Sequence, residues 1–305
     1  MDLSVIVASY NTSKLLQACL ESIYATTRGL EFEVIVVDDC STDGSPEMVR
    51  MLFPQVHLIV NPQNMRYAKT NNVGLKAARG RYGLLLNSDV EVHPGAFSGL
   101  VAFMDLHPEA AAAGPKLISP DGSIQQCIRS FPGKLYLLFQ ALSLHKIWPQ
   151  NPFTGRYYNT AFDYNRSQAV QSIGTTCFII RRSIWENYGM LDERLTLAFV
   201  DLAYCYGLRE QKQNVYYIHN VTVMHYGSQS INQNGLKEIR LMNRDLRKFY
   251  DIYLAAHDNW GGRVLVRAGI ALRLWFKIFE YELSSDKRVF SGPGVPGGGR
   301  KPIKR

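Results

Sequence analysis

Two acidic clusters in the first ninety positions are the residues of this chain best suited to chemistry. Asp38 and Asp39 follow the apolar run VIVV, and Asn87 and Asp89 follow LLL. Adjacent carboxylates can accept hydrogen bonds from the imide or hydroxyls of a nucleoside, or they can order the turn that follows them. Asp89, with Glu91 nearby, suits a hard cation that bridges two phosphates, because Mg²⁺ keeps several waters and takes few protein ligands.

The apolar runs around these clusters predict the elements that must position them. LSVIVA, FEVIVVDD, VHLIV and YGLLLNSDVEV are short and rich in β-branched residues or leucine, which is typical of buried strands. Helical patterns separate them, one from Thr12 or Ser13 to residue 26, one starting at Ser45 and one over 71–78. This alternation predicts right-handed βαβ units and a mostly parallel sheet, hence an α/β fold. Ligands of such sheets bind at the carboxyl ends of strands, where both clusters lie.

The rest of the chain to residue 250 continues with helices, strands and one irregular stretch. We predict a helix over 94–108, irregular excursions over 114–160, a strand within 169–182, a helix over 197–211 and a strand pair over 214–227 that ends in His225.

Composition and charge exclude several classes of protein. With 46% hydrophobic and 20% charged residues among 305, the chain is neither disordered nor fibrous. Residues 263–305 hold ten Lys and Arg against three acids, which leaves 24 basic and 23 acidic residues elsewhere. A core this close to neutral does not suit nucleic-acid binding. Five scattered cysteines without CxxC spacing, no secretory signal and no apolar run of 18 residues predict a cytoplasmic protein without structural zinc.

The C-terminal segment over 251–283 has an amphipathic pattern. On a helical wheel its basic and apolar residues occupy opposite faces: Arg263, Arg267, Arg273 and Lys277 against Leu265, Leu272, Trp275, Phe276 and Phe279. Such a helix can lie on an anionic membrane surface, or it can pack on the domain with its basic face in water. The Gly- and Pro-rich basic tail over 284–305 is expected to be disordered.

Eight blocks over residues 1–250 resemble inverting family 2 glycosyltransferases, and within them the bacterial rhamnosyltransferase-like group. The blocks, in order, are VIVASYN, VIVVDDCSTDGS, NPQNMRYAKTNNVGLKAARGRY, LLLNSDVEV, KLISPDGSIQQCIRSFP, CFIIRR, LDERLTLAFVDLAYCYGLR and VMHYGSQS. The resemblance implies a GT-A, Rossmann-like fold, in which a mostly parallel central sheet is flanked by helices, followed here by a basic C-terminal helix.

The resemblance also implies donor-binding roles in the first ninety residues. Asp38 and Asp39 would hold the nucleoside, while Ser9 and Tyr10 would line the base pocket. Asn87 would also contact the donor nucleotide.

Further implied roles concern the diphosphate and the reaction. Asp89 would hold Mg²⁺ or Mn²⁺ with the donor diphosphate, and His225 would be a further metal ligand or a donor to phosphate. Asp201 matches the second position of the family's Glu-Asp pair and would be the general base. Arg66 stands where the family has a small residue, and it would either pair with a donor phosphate or cap an altered loop.

This chain departs from the family pattern near the expected acceptor site. The family usually has acids where Val200 and Ala203 stand, and commonly has glycine where Thr175 stands. We therefore keep two hypotheses. One is an active transferase; the other is a degenerate GT-A domain that binds nucleotide sugar or partner enzymes as a scaffold.

The active-enzyme hypothesis predicts transfer of a sugar from a nucleotide-diphosphate donor, with dTDP-rhamnose favoured, to a saccharide or polyprenyl-linked glycan of the cell envelope. Residues 1–250 would form the transferase domain, with a nucleotide-binding half over 1–92 and an acceptor half over 93–250. Residues 263–305 would hold the enzyme at the inner face of the plasma membrane.

Overall fold

The computed structural model describes residues 1–133, 136, 148, 156–227 and 235–283. Its strands are Leu3–Ser9 (β1), Phe32–Asp38 (β2), His57–Val60 (β3), Tyr82–Asn87 (β4), Val90–Val92 (β5), Ala110–Ile118 (β6), Ile128–Arg129 (β7), Gln168–Val170 (β8), Ser172–Ile173 (β9), Cys177–Arg181 (β10) and Asn214–His225 (β11). Its helices are Ser13–Thr26 (α1), Ser45–Leu52 (α2), Arg66–Ala77 (α3), Ala96–Leu106 (α4), Arg182–Tyr188 (α5), Val200–Glu210 (α6), Gly235–Phe249 (α7) and Trp260–Leu283 (α8). A π-turn, Tyr250–Leu254, and a 3₁₀ turn, Ala255–His257, join the last two helices.

The central sheet has the strand order β3-β2-β1-β4-β10-β6-β11-β5, and β8 pairs with β11. Strands β3, β2, β1 and β4 are parallel neighbours, as the alternating pattern predicts. β1 lies in the middle of this group, which is why its apolar run is buried on both faces. β10 runs antiparallel to both β4 and β6, so the parallel part of the sheet lies mainly in its first half. The α/β fold class is confirmed.

The predicted strand pair over 214–227 is wrong, because β11 is a single strand of 12 residues. It runs parallel to β6 throughout, with a shift of register between Ile218 and Thr222. The bulge absorbs the intervening residues without a turn, so the strand continues to His225. Its last residues then pair with β5, where His225 lies opposite Val90.

Helix α3 begins at Arg66, five positions before the predicted start. The first backbone N–H groups of a helix need acceptors from outside it, and no suitable capping side chain precedes Arg66 locally. Asp39 provides them instead, since its carboxylate accepts from the N–H groups of Met65 at 2.7 Å and Arg66 at 2.9 Å. A cap supplied from the end of β2 cannot be recognised in the local sequence.

Helix α8 packs on α7, and two arginines of its basic face contact the rest of the protein. Arg267 pairs with Asp251 at 2.9 Å, and Arg273 donates to the side chain of Asn243 at 2.9 Å. The exposed face is apolar and runs along the helix through Trp260, Val264, Leu265, Leu272, Trp275, Phe279 and Leu283. The predicted amphipathic helix is therefore present, but its apolar residues face outward.

The expected disorder of 284–305 lies outside the described residues. Within the described residues, no helix is both long and apolar enough to cross a membrane.

Candidate functional site

The turns that follow β1, β2 and β4 meet the start of α6 and the end of β11 at a cavity of about 390 Å³. Eight of the nine predicted site residues line it: Ser9, Tyr10, Asp39, Arg66, Asn87, Asp89, Asp201 and His225. Residues 216 positions apart in the chain thus share one cleft at the carboxyl ends of the parallel strands, as in other sheets of this type. The turns are also tied to one another, because the hydroxyls of Thr12 and Ser88 lie 2.8 Å apart in a buried hydrogen bond.

Asp38 is the one predicted residue that does not line the cavity. It is buried at the end of β2, where its Oδ1 accepts from the N–H of Ser41 at 2.9 Å. Its Oδ2 has no hydrogen-bond partner among the described residues. Burial raises the pKa of the Asp38 carboxyl, an effect that the Ser41 hydrogen bonds only partly offset. These contacts are those of a carboxylate that orders the turn.

Asp39 faces the cavity and fixes the start of α3. Besides the N–H groups of Met65 and Arg66, it accepts from the side-chain amide of Asn61 at 2.9 Å. Arg66 is held there in a left-handed backbone conformation, with φ of 71°. A left-handed arginine is uncommon and persists only where its surroundings hold it in place, so Asp39 sets the direction in which Arg66 projects.

Arg66 reaches across the cavity edge to α7. Its guanidinium lies 3.2 Å from Oε1 of Glu238, whose side chain is 4% exposed. Glu238 also lines the cavity, together with Met242 one turn further along the helix. Helix α7 is therefore part of the cavity wall.

Asp89 and His225 form a buried polar pair at the site. Nε2 of His225 lies 3.3 Å from Oδ1 of Asp89, yet it makes no hydrogen bond of acceptable geometry within the described part of the chain. On its other side, Nδ1 of His225 lies 2.8 Å from Oε1 of Gln125. Gln125 in turn donates its amide N–H to the backbone carbonyl of His225 at 2.8 Å and to the hydroxyl of Ser119 at 3.1 Å.

These contacts assign the proton of neutral His225. The amide nitrogen of Gln125 must face a carbonyl, so its oxygen faces Nδ1, and an oxygen can only accept. Nδ1 therefore carries the proton, and the Nε2 lone pair points at the Asp89 carboxylate. Two acceptors in contact inside a buried site fit a cation between them, and a histidine that donates its second N–H to an oxygen is the usual form of a metal ligand.

The donor set is small, which suits a cation that also binds a diphosphate. Among the residues described, no group of three His, Cys, Asp or Glu side chains converges on one point. Glu91 does not join the pair, since it accepts from the Tyr226 hydroxyl at 2.9 Å and does not line the cavity. Asp89 and His225 fit Mn²⁺ or Mg²⁺ only if phosphate oxygens and water complete the coordination.

Asp201 lies in the first turn of α6 and lines the cavity. Its Oδ1 accepts from the N–H of Leu202 at 2.8 Å, which stabilises the charged form. Burial is the larger influence, so the pKa of Asp201 is raised above its usual value. A carboxylate with a raised pKa accepts a proton more readily at neutral pH, as a general base must.

The segment before α6 is held by a buried carboxylate from α7. Asp245 accepts hydrogen bonds from the N–H groups of Thr196, Leu197 and Ala198 at 2.8–3.2 Å. The carbonyl of Thr196 accepts from the N–H of Tyr67, next to Arg66. This segment thus connects the start of α3 to the helix that carries Asp201.

Sequence reasoning missed Gln125, Glu238 and Asp245. Gln125 lies in the quoted block KLISPDGSIQQCIRSFP and His225 lies in the quoted block VMHYGSQS. The family resemblance had therefore marked the segments of both residues. Glu238 and Asp245 lie in a helix whose charged pattern is typical of a solvent-exposed surface, and nothing in that pattern marks them.

Comparisons with known proteins show the family and the fold of this chain. The family model "Glycosyl transferase family 2" matches residues 4–189. The chain is 26% identical to N-acetylglucosaminyl-diphospho-decaprenol L-rhamnosyltransferase of Mycobacterium tuberculosis, over 89% of this chain and 91% of that protein. Two solved structures share the fold. One is a Pyrobaculum calidifontis mannosyltransferase with GDP-Man and Mn²⁺ (TM-score 0.56, 15% identity, 93% of this chain and 76% of that one). The other is Staphylococcus aureus TarS 1–349 with UDP-GlcNAc (TM-score 0.52, 20% identity, 94% and 76%).

Proposed function

The chain belongs to glycosyl transferase family 2, and on that premise we propose that it is an inverting transferase of cell-envelope polysaccharide synthesis. The proposed donor is a nucleotide-diphosphate sugar, with dTDP-rhamnose favoured, and the acceptor is a saccharide or a polyprenyl-linked glycan. One observation carries the proposal: Asp39, Asp89, His225 and Asp201 line a single cavity. The name of the mycobacterial relative, a rhamnosyltransferase acting on a diphospho-decaprenol acceptor, supports this choice of donor sugar and acceptor.

In this proposal the donor nucleotide occupies the side of the cavity formed by the first three strand ends. Ser9, Tyr10 and Asn87 contact the nucleotide beside Asp39. Asp38 acts from behind them, since it orders the turn through Ser41.

Asp89 and His225 hold a divalent cation, Mg²⁺ or Mn²⁺. The buried Nε2 lone pair of His225 facing Oδ1 of Asp89 supports this assignment. When bound, the cation supplies positive charge to the diphosphate leaving group. Arg66, which already projects into the cavity, adds a second positive charge to the diphosphate.

Asp201 is the proposed general base. Its carboxylate takes the proton of an acceptor hydroxyl as that oxygen forms a bond to the anomeric carbon. The bond from the anomeric carbon to the diphosphate oxygen breaks with its electron pair on the leaving group, and attack from the opposite face inverts the anomeric centre. The raised pKa of Asp201 supports the role, because a base is most effective when its pKa approaches the working pH.

The proposed layout keeps the transferase domain within 1–250, with the donor half over 1–92 and the acceptor half over 93–250. The C-terminal segment places it at the inner face of the plasma membrane. The outward apolar face of α8, which includes two tryptophans, is suited to the interfacial region of a bilayer, and six basic residues in 284–305 are suited to anionic head groups.

A catalytically degenerate scaffold is the alternative, and Val200 is the residue that favours it. Val200 lines the cavity where the family has an acid. Ala203, the other lost acid, is buried in the hydrophobic core and does not line the cavity, so its replacement leaves the cleft unchanged.

The first test is thermal unfolding with dTDP, UDP, GDP, CDP or ADP, each with and without Mg²⁺ or Mn²⁺. A ligand at about 100 times its dissociation constant adds roughly 2.7 kcal/mol. For a domain of this size that is a rise of about 5–10 °C in Tm. A metal-dependent rise with one nucleotide is expected; no rise with any of them would refute a nucleotide-sugar site.

The second test separates enzyme from scaffold. Asp201→Asn should lower turnover by about two to four orders of magnitude, the usual effect of losing a positioned base, while leaving nucleotide binding intact. A wild-type chain that binds the donor but transfers no sugar would favour the scaffold.

A further inference from the structure

Glu238 is an acidic cavity residue whose contacts are incomplete. Its side chain is 4% exposed, and Oε1 accepts one hydrogen bond, from Arg66 at 3.2 Å. Oε2 has no hydrogen-bond partner among the described residues. A buried carboxylate oxygen without a donor is destabilising, so the free oxygen of this cavity-lining residue calls for a ligand that donates a hydrogen bond to it.

The missing partner is a hydrogen-bond donor rather than a charge. The guanidinium of Arg66 already provides a positive charge to Glu238, and a metal ion beside it would be repelled. A phosphate would be repelled by Glu238 itself. A neutral O–H group meets neither repulsion and supplies the hydrogen that Oε2 lacks.

The position of Glu238 relates it to the reacting groups. It shares the cavity with Asp201, and Arg66 connects it to the donor-side wall through Asp39. Val200, which also lines the cleft, brings no polar group to it. Glu238 is a carboxylate of the cavity that has no role in binding the proposed nucleotide or cation and is not the proposed base.

We propose that Glu238 binds a hydroxyl of one of the two sugars in the reaction and so contributes to sugar specificity. This rests on the proposed function. The hydroxyl can belong to the donor sugar or to the acceptor sugar, and the two sources give different experimental results.

The test compares wild type with Glu238→Gln in two assays. Titration calorimetry with Mn²⁺ measures affinity for dTDP and dTDP-rhamnose, and for UDP and UDP-GlcNAc. Initial rates with N-acetylglucosaminyl-diphospho-decaprenol measure the acceptor KM. If the donor sugar is bound, the affinity for the nucleotide sugar falls about tenfold relative to the plain nucleotide, because the neutral amide oxygen of glutamine accepts a weaker hydrogen bond than a carboxylate does. If the acceptor sugar is bound, the acceptor KM rises by about the same factor. The ratio of the affinity for the nucleotide sugar to the affinity for the plain nucleotide then stays as in wild type.

Two further variants isolate the effect. Glu238→Asp keeps the charge but withdraws it by one methylene, so it should reproduce the loss if hydrogen-bond reach matters. Glu210→Gln, which removes an exposed carboxylate at the far end of α6, should change neither quantity. The proposal is refuted if the affinity ratio and the acceptor KM of both Glu238 variants stay within about twofold of wild type while the plain nucleotide still binds. Failure of the wild type to bind any nucleotide would instead refute the proposed function.

Discussion

Replacing Asp245 with alanine should destabilise the protein and disorder the approach to Asp201. The Asp245 side chain is fully buried on α7 and accepts three backbone N–H groups, from Thr196, Leu197 and Ala198. Alanine at 245 would leave all three N–H groups without an acceptor. Losing one partner of a buried charged network costs about 3–5 kcal/mol, somewhat less than three separate unsatisfied groups because the segment can relax toward water.

The assay is thermal unfolding by circular dichroism, followed by donor binding and turnover. At about 2–4 °C per kcal/mol, Tm should fall by roughly 6–20 °C. Turnover should fall further than nucleotide affinity, because the segment precedes Asp201 whereas Asp89 is held by other elements. Asp251→Asn, which breaks a half-exposed ion pair with Arg267, is the matched control and should cost less than about 1 kcal/mol. A Tm of Asp245→Ala within about 2 °C of wild type would show that α7 does not hold this segment.

Three further predictions concern the metal pair, the base and the membrane surface. Gln125→Leu removes the acceptor that fixes the Nδ1–H form of His225, so Mn²⁺ affinity measured by electron paramagnetic resonance should fall about 10- to 100-fold. An unchanged affinity would show that Gln125 does not prepare His225 for metal binding. Burial raises the pKa of Asp201 in the folded state. The contribution of this carboxyl to the free energy of unfolding is therefore fully present below the pKa of the unfolded state, and it is lost as pH rises through the pKa of the folded state. Asp201→Asn should therefore raise Tm at pH 7 but not near pH 3.5, and equal differences at both pH values would contradict the burial argument. The double substitution Trp275→Ser, Phe279→Ser should weaken sedimentation with phosphatidylglycerol vesicles and leave nucleotide binding unchanged; undiminished sedimentation would exclude this face from membrane contact.

The parallel half of the sheet could be predicted from the sequence because its signals are local. β1, β2 and β4 are continuous apolar runs, each followed at once by polar residues, so the pattern marks both the strand and the turn that ends it. The same locality predicts that Asp39 and Asp89 share one edge of the sheet. His225 and Asp201 required the family resemblance, since nothing nearby in the chain distinguishes them.

The predictions that failed involve contacts between distant positions. The start of α3 depends on Asp39, 27 residues before Arg66, and the unbroken path of β11 depends on the neighbouring β6. The outward apolar face of α8, which contradicts only the alternative in which α8 packs on the domain with its basic face in water, has the same origin. A helical wheel separates the two faces correctly, but which one packs inward depends on Asp251 and Asn243, the partners of its arginines. Local sequence patterns define the faces and lengths of helices and strands, whereas contacts with distant residues decide which face packs inward.

Helix α7 explains why the site could be predicted only in part. Its charges repeat as on an exposed surface helix, yet Glu238 and Asp245 are both buried. Glu238 contacts Arg66, and Asp245 holds the segment before Asp201. One helix therefore contacts both Arg66 and the segment that leads to Asp201. Displacing it should affect donor binding and proton transfer together, whereas Asp201→Asn should affect turnover alone. Measuring both quantities in each variant distinguishes a structural role of α7 from a chemical role of its carboxylates.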